Sequence, residues 1–155
     1  MSEVRIVRGD EGVNGLDCVF KVTGDDTDNR FDFMIAEVGY CSGPPLHTHK
    51  TQDDTFYVLD GVLTVQAGDE LVELRPGDFV TVPPGVPHAF DNLKKDQPTV
   101  RAINLMTPGG FDHFMEDLLR VEDPAALDEQ AQEKLFQDHG VRWVGPPLHE
   151  SLGIS

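Results

Sequence analysis

Two short segments of this 155-residue chain constrain its fold more than any other feature. The first contains His47, His49 and Asp54, and the second runs from Gly77 through a proline-rich turn to His88. Imidazole and carboxylate groups bind divalent transition metals, but groups so distant in sequence can share one ion only where the strands that carry them meet. The two segments therefore predict a metal site and a closed β-structure together.

The first two thirds of the chain has the pattern of short antiparallel β-strands. Runs rich in β-branched and aromatic residues alternate with Gly, Pro, Asn and Asp, and turn sequences such as Asp60-Gly61 separate them. Many short strands hide their edges by closing into a sandwich or a barrel. We therefore predict an all-β fold with strands at residues 16–24, 31–39, 54–59, 62–67, 71–75, 79–82 and 99–106.

After residue 108 the hydrophobic period changes from two residues to 3.6, which predicts helices. A second helix is predicted to start at Asp123-Pro124 and to end at Gly140, and the tail after it has no regular period. We predict a barrel over residues 1–108 and a helical extension with a tail over residues 109–155, packed on the same domain. The apolar stripe of the first helix is Phe111, Phe114, Met115, Leu118 and Leu119, that of the second is Leu127, Ala131 and Leu135, and Trp143 and Val144 should attach the tail.

Charge and cysteine content limit the partners and the compartment. The 28 acidic and 12 basic residues give a net charge of −16, which disfavours nucleic acid and anionic membranes as partners. Cys18 and Cys41 lie far apart, and no stretch resembles a signal peptide or a membrane span. These features predict a reduced, cytoplasmic protein.

The spacing of the first segment predicts which side chains point into the barrel. His47 and His49 lie two residues apart on an extended segment, so both point to one face. In the following strand Asp54 shares a face with Phe56 and Val58, and these apolar side chains belong in the interior. A buried carboxylate is costly unless it is paired or bound to a metal, so Asp54 beside two imidazoles favours ligation.

The second segment predicts a rigid position for His88, because Pro83, Pro84 and Pro87 fix the turn before it. The other histidines receive no role, since one lies on the polar side of the first helix, one in the last turn of the second and one in the tail: His113, His139 and His149. The aromatic residues of the strands are assigned to the core rather than to catalysis: Phe33, Phe56, Tyr57 and Phe90.

Both segments resemble the conserved motifs of the cupin superfamily. Residues 43–61 resemble the first motif at both histidines and at the final glycine, but Gly43 is two residues closer to His47 than that pattern asks, and Asp54 stands where the pattern has glutamate. Residues 77–92 match every fixed position of the second motif, namely Gly77, Pro83, Gly85, His88 and Asn92. The helical extension and the tail are similar to those of small bacterial cupins in the quercetin 2,3-dioxygenase-like branch.

This resemblance implies a double-stranded β-helix, or jelly roll, with a C-terminal helical extension. It implies one divalent transition metal, Fe, Ni, Mn, Co, Cu or Zn, bound by His47, His49, His88 and Asp54, with Asp54 also acting as the catalytic base. Because aspartate is about 1.5 Å shorter than glutamate, Asp54 could bind the metal directly, act through a bridging water, or lie beside a three-histidine site.

The implied function is that of a dioxygenase for a flavonol-like or other enolisable small molecule. Two alternatives stay open: a metal-dependent isomerase or decarboxylase of a small oxygenated acid, and a non-enzymatic cupin that binds a small molecule. The resemblance also implies a homodimer, formed through sheet edges.

Overall fold

The computed structural model describes residues 3–121, 123 and 126–155. Within these residues most strands come first and two α-helices follow them, in the order expected, and a 3₁₀ helix, Gly24–Asp26, lies among the strands. The strands are β1 Val13–Gly15, β2 Cys18–Val22, β3 Asp32–Val38, β4 Pro45–His49, β5 Asp53–Asp60, β6 Leu63–Ala67, β7 Glu70–Leu74, β8 Phe79–Val82, β9 His88–Asp91, β10 Val100–Thr107 and β11 Val141–Pro147. The helices are α1 Phe111–Leu119, α2 Glu129–His139 and α3 Leu148–Ser151.

Two antiparallel sheets face each other. One has the strand order β1-β2-β3-β10-β5-β8 and the other the order β11-β4-β9-β6-β7. Neighbours in each sheet are mostly distant in sequence, as in β10 beside both β3 and β5, so the chain crosses between the sheets repeatedly. This arrangement is the predicted double-stranded β-helix with C-terminal helices, and the predicted strands are present.

The interior contains two apolar clusters. The first lies between the sheets and includes Phe56, Val58 and Ala102, and the second lies towards the helices and includes Met34 and Met106. Inward positions of β10 connect them, because Ala102 belongs to the first cluster and Met106 to the second. The predicted inward face of β5 is confirmed, since Asp54, Phe56 and Val58 are all at least 97% buried.

The helices differ from the prediction in two places. Helix α1 spans the predicted stripe, but Leu119 is 48% exposed because it falls at the end of the helix, beyond the turn that packs on the core. Helix α2 begins at Glu129, where the side chain of Asp128 accepts a hydrogen bond from the amide of Ala131 and caps the helix. The predicted start at Asp123 is therefore wrong, and Pro124 lies outside the described residues.

The tail is more regular than its sequence suggests. Residues 141–147 form β11, which pairs with β4 and so lies beside the strand that carries two histidines. Trp143 packs against the second cluster as expected, whereas Val144 is 44% exposed and does not attach the tail. The alternation of β11 was hidden by its Gly and Pro residues, which are unusual in a strand.

Two of the four strand aromatics assigned to the core do not lie there. Phe56 is buried, and Phe90 packs partly buried against the first cluster. Tyr57 is 41% exposed and Phe33 is half-buried, and both point outwards from the six-stranded sheet. The assignment was wrong for these two because it followed residue type rather than the alternation of the strand.

A buried carboxylate on β9 fixes the tail and the loop before β4. Asp91 is fully buried, and its Oδ1 accepts hydrogen bonds from the amides of Gly43 and Asn92, both at 2.9 Å. Its Oδ2 lies 2.6 Å from Nδ1 of His149. The loop passes so close to β9 that a Cβ atom at Gly43 would collide with the carbonyl oxygen of Phe90. No helix within the described ranges is long and apolar enough to span a membrane.

The substitution Asp91→Asn should destabilise the protein by about 1–3 kcal/mol. The NH₂ group of asparagine cannot accept a hydrogen bond, so the donors that face this side of residue 91 lose their partner. Urea unfolding measures this change. Asp138→Asn is the matched control, since Asp138 pairs with Lys134 at the surface and loss of this exposed pair should cost less than about 0.5 kcal/mol. Equal effects of the two substitutions would contradict the role given to Asp91.

Candidate metal centre

Three histidines meet where β4 and β9 lie side by side. His47 pairs in register with His88, and His49 lies two residues further along the same face of β4. The ring centroids are 4.4 Å apart for His47 and His88, 5.0 Å for His47 and His49, and 5.3 Å for His49 and His88. All three side chains are at least 94% buried. The structure therefore brings the three predicted imidazoles into one cluster.

Asp54 reaches this cluster from the opposite sheet. Its Oδ2 lies 2.9 Å from Nε2 of His88 and 3.4 Å from Nε2 of His49. One potential ligand atom from each of the four residues lies within 4.8 Å of the others. Neighbouring ligands of an ion at 2.1 Å stand about 3.0–3.4 Å apart in octahedral or tetrahedral geometry, so the aspartate is long enough to take part in such a site.

Hydrogen bonds to the backbone orient two of the rings. Nδ1 of His47 lies 2.7 Å from the carbonyl oxygen of Pro45, and Nδ1 of His88 lies 2.9 Å from that of Val86. A carbonyl oxygen can only accept, so Nδ1 carries the hydrogen in both rings and Nε2 points to the cluster. Backbone carbonyls hold metal-binding histidines in this way in many proteins.

His49 lacks any such partner. Both of its ring nitrogens are buried, and among the described residues Nδ1 has no polar partner, while Nε2 has only the Oδ2 atom of Asp54 at 3.4 Å, outside good hydrogen-bond geometry. Leaving a buried polar atom unpaired costs about 1–3 kcal/mol, and native proteins rarely accept this cost without a ligand. A metal ion bound at Nε2 of His49 would satisfy it, so the donor set fits a divalent transition metal.

The charge of Asp54 and the neutral state of His47 also suit a cation. Burial raises the pKa of Asp54, but the neighbouring His49 and His88 outweigh it and hold this pKa well below its usual value. Burial lowers the pKa of His88, yet its hydrogen bond to Asp54 prevails and the pKa is raised. Burial, followed by the charges of His88 and His49, lowers the pKa of His47 well below its usual value. The site thus combines an ionised carboxylate with a neutral imidazole.

Asn104 is a functional candidate that the sequence analysis missed. Its Nδ2 donates to Oδ1 of Asp54 at 2.6 Å and to the carbonyl oxygen of Thr55 at 3.1 Å. The carboxylate is thereby fixed with Oδ2 towards the imidazoles. The signal was present in the sequence, because Asn104 is the polar residue between Ala102 and Met106 on the inward face of β10.

The cluster opens into a cavity of about 770 Å³. Its walls are largely apolar and come from both sheets, from α1 and from the tail, and they include Met34, Phe90, Phe114 and Trp143. Trp143 is the single tryptophan of the chain, and its ring centroid lies 6.1 Å from that of His47. A cavity of this volume can hold a drug-sized organic molecule next to the metal ligands.

The remaining histidines lie outside the cluster of four, although His149 lines the same cavity. His113 pairs with Asp25 at the surface, His139 pairs with Asp117, and His149 is bound to Asp91. The first two pairs are partly exposed to solvent, where such pairs are common without a ligand.

Sequence comparison identifies the family. Residues 33–104 match the family model described as Cupin domain, so this segment is a cupin domain. This segment contains all four residues of the cluster and Asn104. The chain is also 31% identical over 72 residues to quercetin 2,3-dioxygenase of Bacillus subtilis (strain 168), a match that covers 46% of this chain and 20% of that protein. The chain thus spans about a fifth of the length of this curated relative.

Solved structures show the same fold. KdgF from Halomonas sp. superposes with a TM-score of 0.55 at 21% identity over 66% of this chain and 88% of that one. A variant of oxalate decarboxylase from Bacillus subtilis superposes with a TM-score of 0.53 at 19% identity over 63% of this chain and 26% of that one. At these identities the likeness extends to the fold alone.

Truncating Asn104 should weaken metal binding, because Asp54 loses the hydrogen bond that orients it. We expect Asn104→Ala to lower the affinity for Co²⁺ about 10- to 100-fold, measured by calorimetric titration of metal-free protein. Gln66→Ala removes another half-buried strand amide, one that bonds only to the backbone of Gly68, and should leave the affinity unchanged. An unaltered affinity in Asn104→Ala would show that the amide does not position the carboxylate.

Proposed function

We propose that this protein is a metal-dependent dioxygenase that acts on a neutral, enolisable small molecule. The observation that carries the proposal is the buried cluster of His47, His49, His88 and Asp54, of which His47 and Asp54 line an organic-sized cavity. The local similarity to quercetin 2,3-dioxygenase supports the reaction class. The proposed ligands are the three imidazoles and the Asp54 carboxylate.

Asp54 has the properties of a base that works beside a cation. A divalent metal bound by this cluster would act as a Lewis acid on the enolic oxygen of a substrate and lower its pKa. Asp54 stays ionised because its pKa is depressed. A carboxylate of low pKa is a weak base, so transfer of the enolic proton to Oδ2 would depend on the lower pKa that the metal gives the enolic hydroxyl. Asn104 holds Oδ1, so the proton is directed to the oxygen that faces the histidines.

The cavity charge favours a neutral substrate. Among the described residues, every charged side chain that lines the cavity is acidic, namely Asp17, Asp54, Asp123 and Glu150, and none is Lys or Arg. An anionic substrate would be repelled by these groups and would have to bind through the metal alone. Apolar walls near Phe90 and Phe114 instead suit the rings of a flavonol-like molecule.

This charge argument weakens the second candidate, a metal-dependent isomerase or decarboxylase of a small oxygenated acid. That candidate keeps one supporting observation, the shared fold with oxalate decarboxylase. A cupin that binds a small molecule without catalysis would use the same cavity. Oxygen consumption separates the first proposal from both of the others.

We further propose a homodimer and a cytoplasmic location. The net charge of −16 argues against nucleic acid and anionic membranes as partners.

The deciding experiment is metal analysis of protein made without an affinity tag, followed by oxygen-electrode assays with quercetin. We expect about one transition metal per chain and metal-dependent oxygen uptake, and we expect His88→Ala to lose both because it removes a ligand. Full metal content and full activity in His88→Ala would overturn the proposed site. If the protein bound metal but consumed no oxygen with any enolic substrate, the proposed metal site would stand and the proposed dioxygenase activity would be excluded.

Replacing Asp54 by the longer glutamate should not improve metal binding, because the Asp54 carboxylate already reaches both His88 and His49. We expect Asp54→Glu to bind Co²⁺ no more tightly than the native protein and to lose turnover by at least about tenfold, since the proton acceptor moves. Calorimetry and oxygen uptake measure the two effects. A tenfold gain in affinity would show that the short carboxylate limits the native site.

The acidic cavity predicts discrimination against anions. In metal-loaded protein 4-methylcatechol should bind at least about tenfold more tightly than 3,4-dihydroxybenzoate, because the two share an enediol and differ in one negative charge. Quenching of Trp143 fluorescence reports binding, and Glu150→Gln should narrow the difference without affecting the metal ligands. Tighter binding of 3,4-dihydroxybenzoate would contradict the preference for a neutral substrate and favour the isomerase or decarboxylase of a small acid.

A further inference from the structure

The tail of the chain contributes a histidine to the wall of the cavity. His149 lies on α3, directly after β11, and it lines the cavity together with the neighbouring Glu150. The match to the cupin family model ends at residue 104, so this histidine lies outside the matched segment. The tail therefore adds a polar side chain to the cavity that the cupin domain itself does not supply.

A fully buried carboxylate fixes the ring of His149. Oδ2 of Asp91 lies 2.6 Å from Nδ1 of His149 and also accepts a hydrogen bond from the backbone amide of that residue at 3.2 Å. Asp91 is 0% exposed, and the amides of Gly43 and Asn92 donate to its other oxygen. Since an ionised carboxylate can only accept, Nδ1 of His149 carries the hydrogen of this bond.

Nε2 is the free end of the same ring. It makes no hydrogen bond to any residue that the structure describes, and unlike the ring nitrogens of His49 it is not sealed from solvent. The side chain of His149 is 19% exposed. In a neutral imidazole with its hydrogen on Nδ1, Nε2 carries a lone pair and acts only as an acceptor. The cavity wall therefore presents an oriented acceptor that has no partner in the protein.

Other polar side chains of the cavity wall are already engaged. Three of them form hydrogen bonds within the protein, in the pairs Ser42–Gly39, Gln132–Leu127 and Asn104–Asp54. The acidic side chains of the wall are charged, and most of the remaining surface is apolar. Among the described residues that line the cavity, His149 thus offers a neutral acceptor outside the metal cluster.

The position of His149 suits the far end of an aromatic molecule. Asp91, which holds the ring, follows His88 by three residues on β9, so about 10 Å separates the two backbone positions along the strand. Phe90 lies between them in sequence and lines the cavity. A molecule of two or three linked rings can bind the metal at one end, contact Phe90 and extend towards His149.

We propose that Nε2 of His149 accepts a hydrogen bond from a hydroxyl group of the substrate at the end remote from the metal. This inference rests on the proposed function and narrows the substrate class to neutral aromatic enols with a second, distal hydroxyl. An acceptor of this kind distinguishes a hydroxyl from a methyl ether of similar shape, because the ether has no hydrogen to donate. A hydroxyl is also uncharged, in agreement with the acidic wall.

Binding of flavone derivatives to Co²⁺-loaded protein in the absence of oxygen tests the inference. 3-Hydroxyflavone carries the enol alone, whereas 3,7-dihydroxyflavone and 3,4′-dihydroxyflavone add a distal hydroxyl at either end. Quenching of Trp143 fluorescence reports binding. We expect at least one dihydroxyflavone to bind about three- to tenfold more tightly than 3-hydroxyflavone, and we expect its distal methyl ether to lose this gain.

His149→Asn separates substrate binding from a structural role. The asparagine amide can still donate to Asp91, but it has no atom in the place of Nε2. We expect this variant to bind Co²⁺ normally and to bind the dihydroxyflavone no better than 3-hydroxyflavone, whereas loss of a purely structural contact would leave the ratio of the two affinities unchanged. His113→Asn makes the same exchange at a surface histidine that pairs with Asp25, and it should retain the gain.

The outcomes distinguish this inference from the function on which it rests. No gain from a distal hydroxyl in the native protein, or an equal gain in His149→Asn, would overturn the inference and leave the proposed function intact. Loss of the gain in Glu150→Gln but not in His149→Asn would also overturn it, because the hydroxyl would then bind Glu150. If no flavone bound at all, the flavonol-like substrate and this inference would fall together. Because oxygen is excluded, a protein that never oxidises the bound enol would lose the dioxygenase proposal and still show the hydrogen bond.

Discussion

The central constraint on this structure is a polar layer placed between two apolar clusters. On β10 the inward residues are Ala102, Asn104 and Met106, so Asn104 lies between a member of each cluster. On β5 the inward face changes from Phe56 to Asp54 within two residues. Burying a carboxylate between apolar layers is costly, and here the cost is offset only because the imidazoles and Asn104 surround it. The stability of the barrel therefore depends on the pairing of these buried polar residues, and the site depends on the barrel to hold them together.

The sequence was sufficient to predict most of the site, because strand alternation determines direction. Two histidines separated by one residue must share a face, and Asp54 must share a face with Phe56 and Val58. Prolines before His88 restrict the turn in a way that sequence alone reveals. For the same reason most strands of the barrel were predictable, since turns with recognisable chemistry separate them, but the short strands β1 and β9 were not predicted.

The features that sequence reasoning missed depend on contacts between distant segments. Asn104 has no spacing rule that relates it to Asp54, and only the pairing of β10 with β5 makes them neighbours. β11 becomes a strand because β4 offers it an edge, although its own sequence has poor strand propensity. The assignment of Tyr57 and Phe33 to the core failed because a sheet has two faces, and residue type does not determine which one meets the interior.

Acidity connects the cavity with the surface. A net charge of −16 favours solubility, but it also repels other negatively charged molecules, including other copies of this chain. The apolar walls around the metal ligands, which come from both sheets, escape this repulsion. A neutral molecule can therefore approach the ligands along these walls, whereas an anion would meet the carboxylates of Asp17 and Glu150.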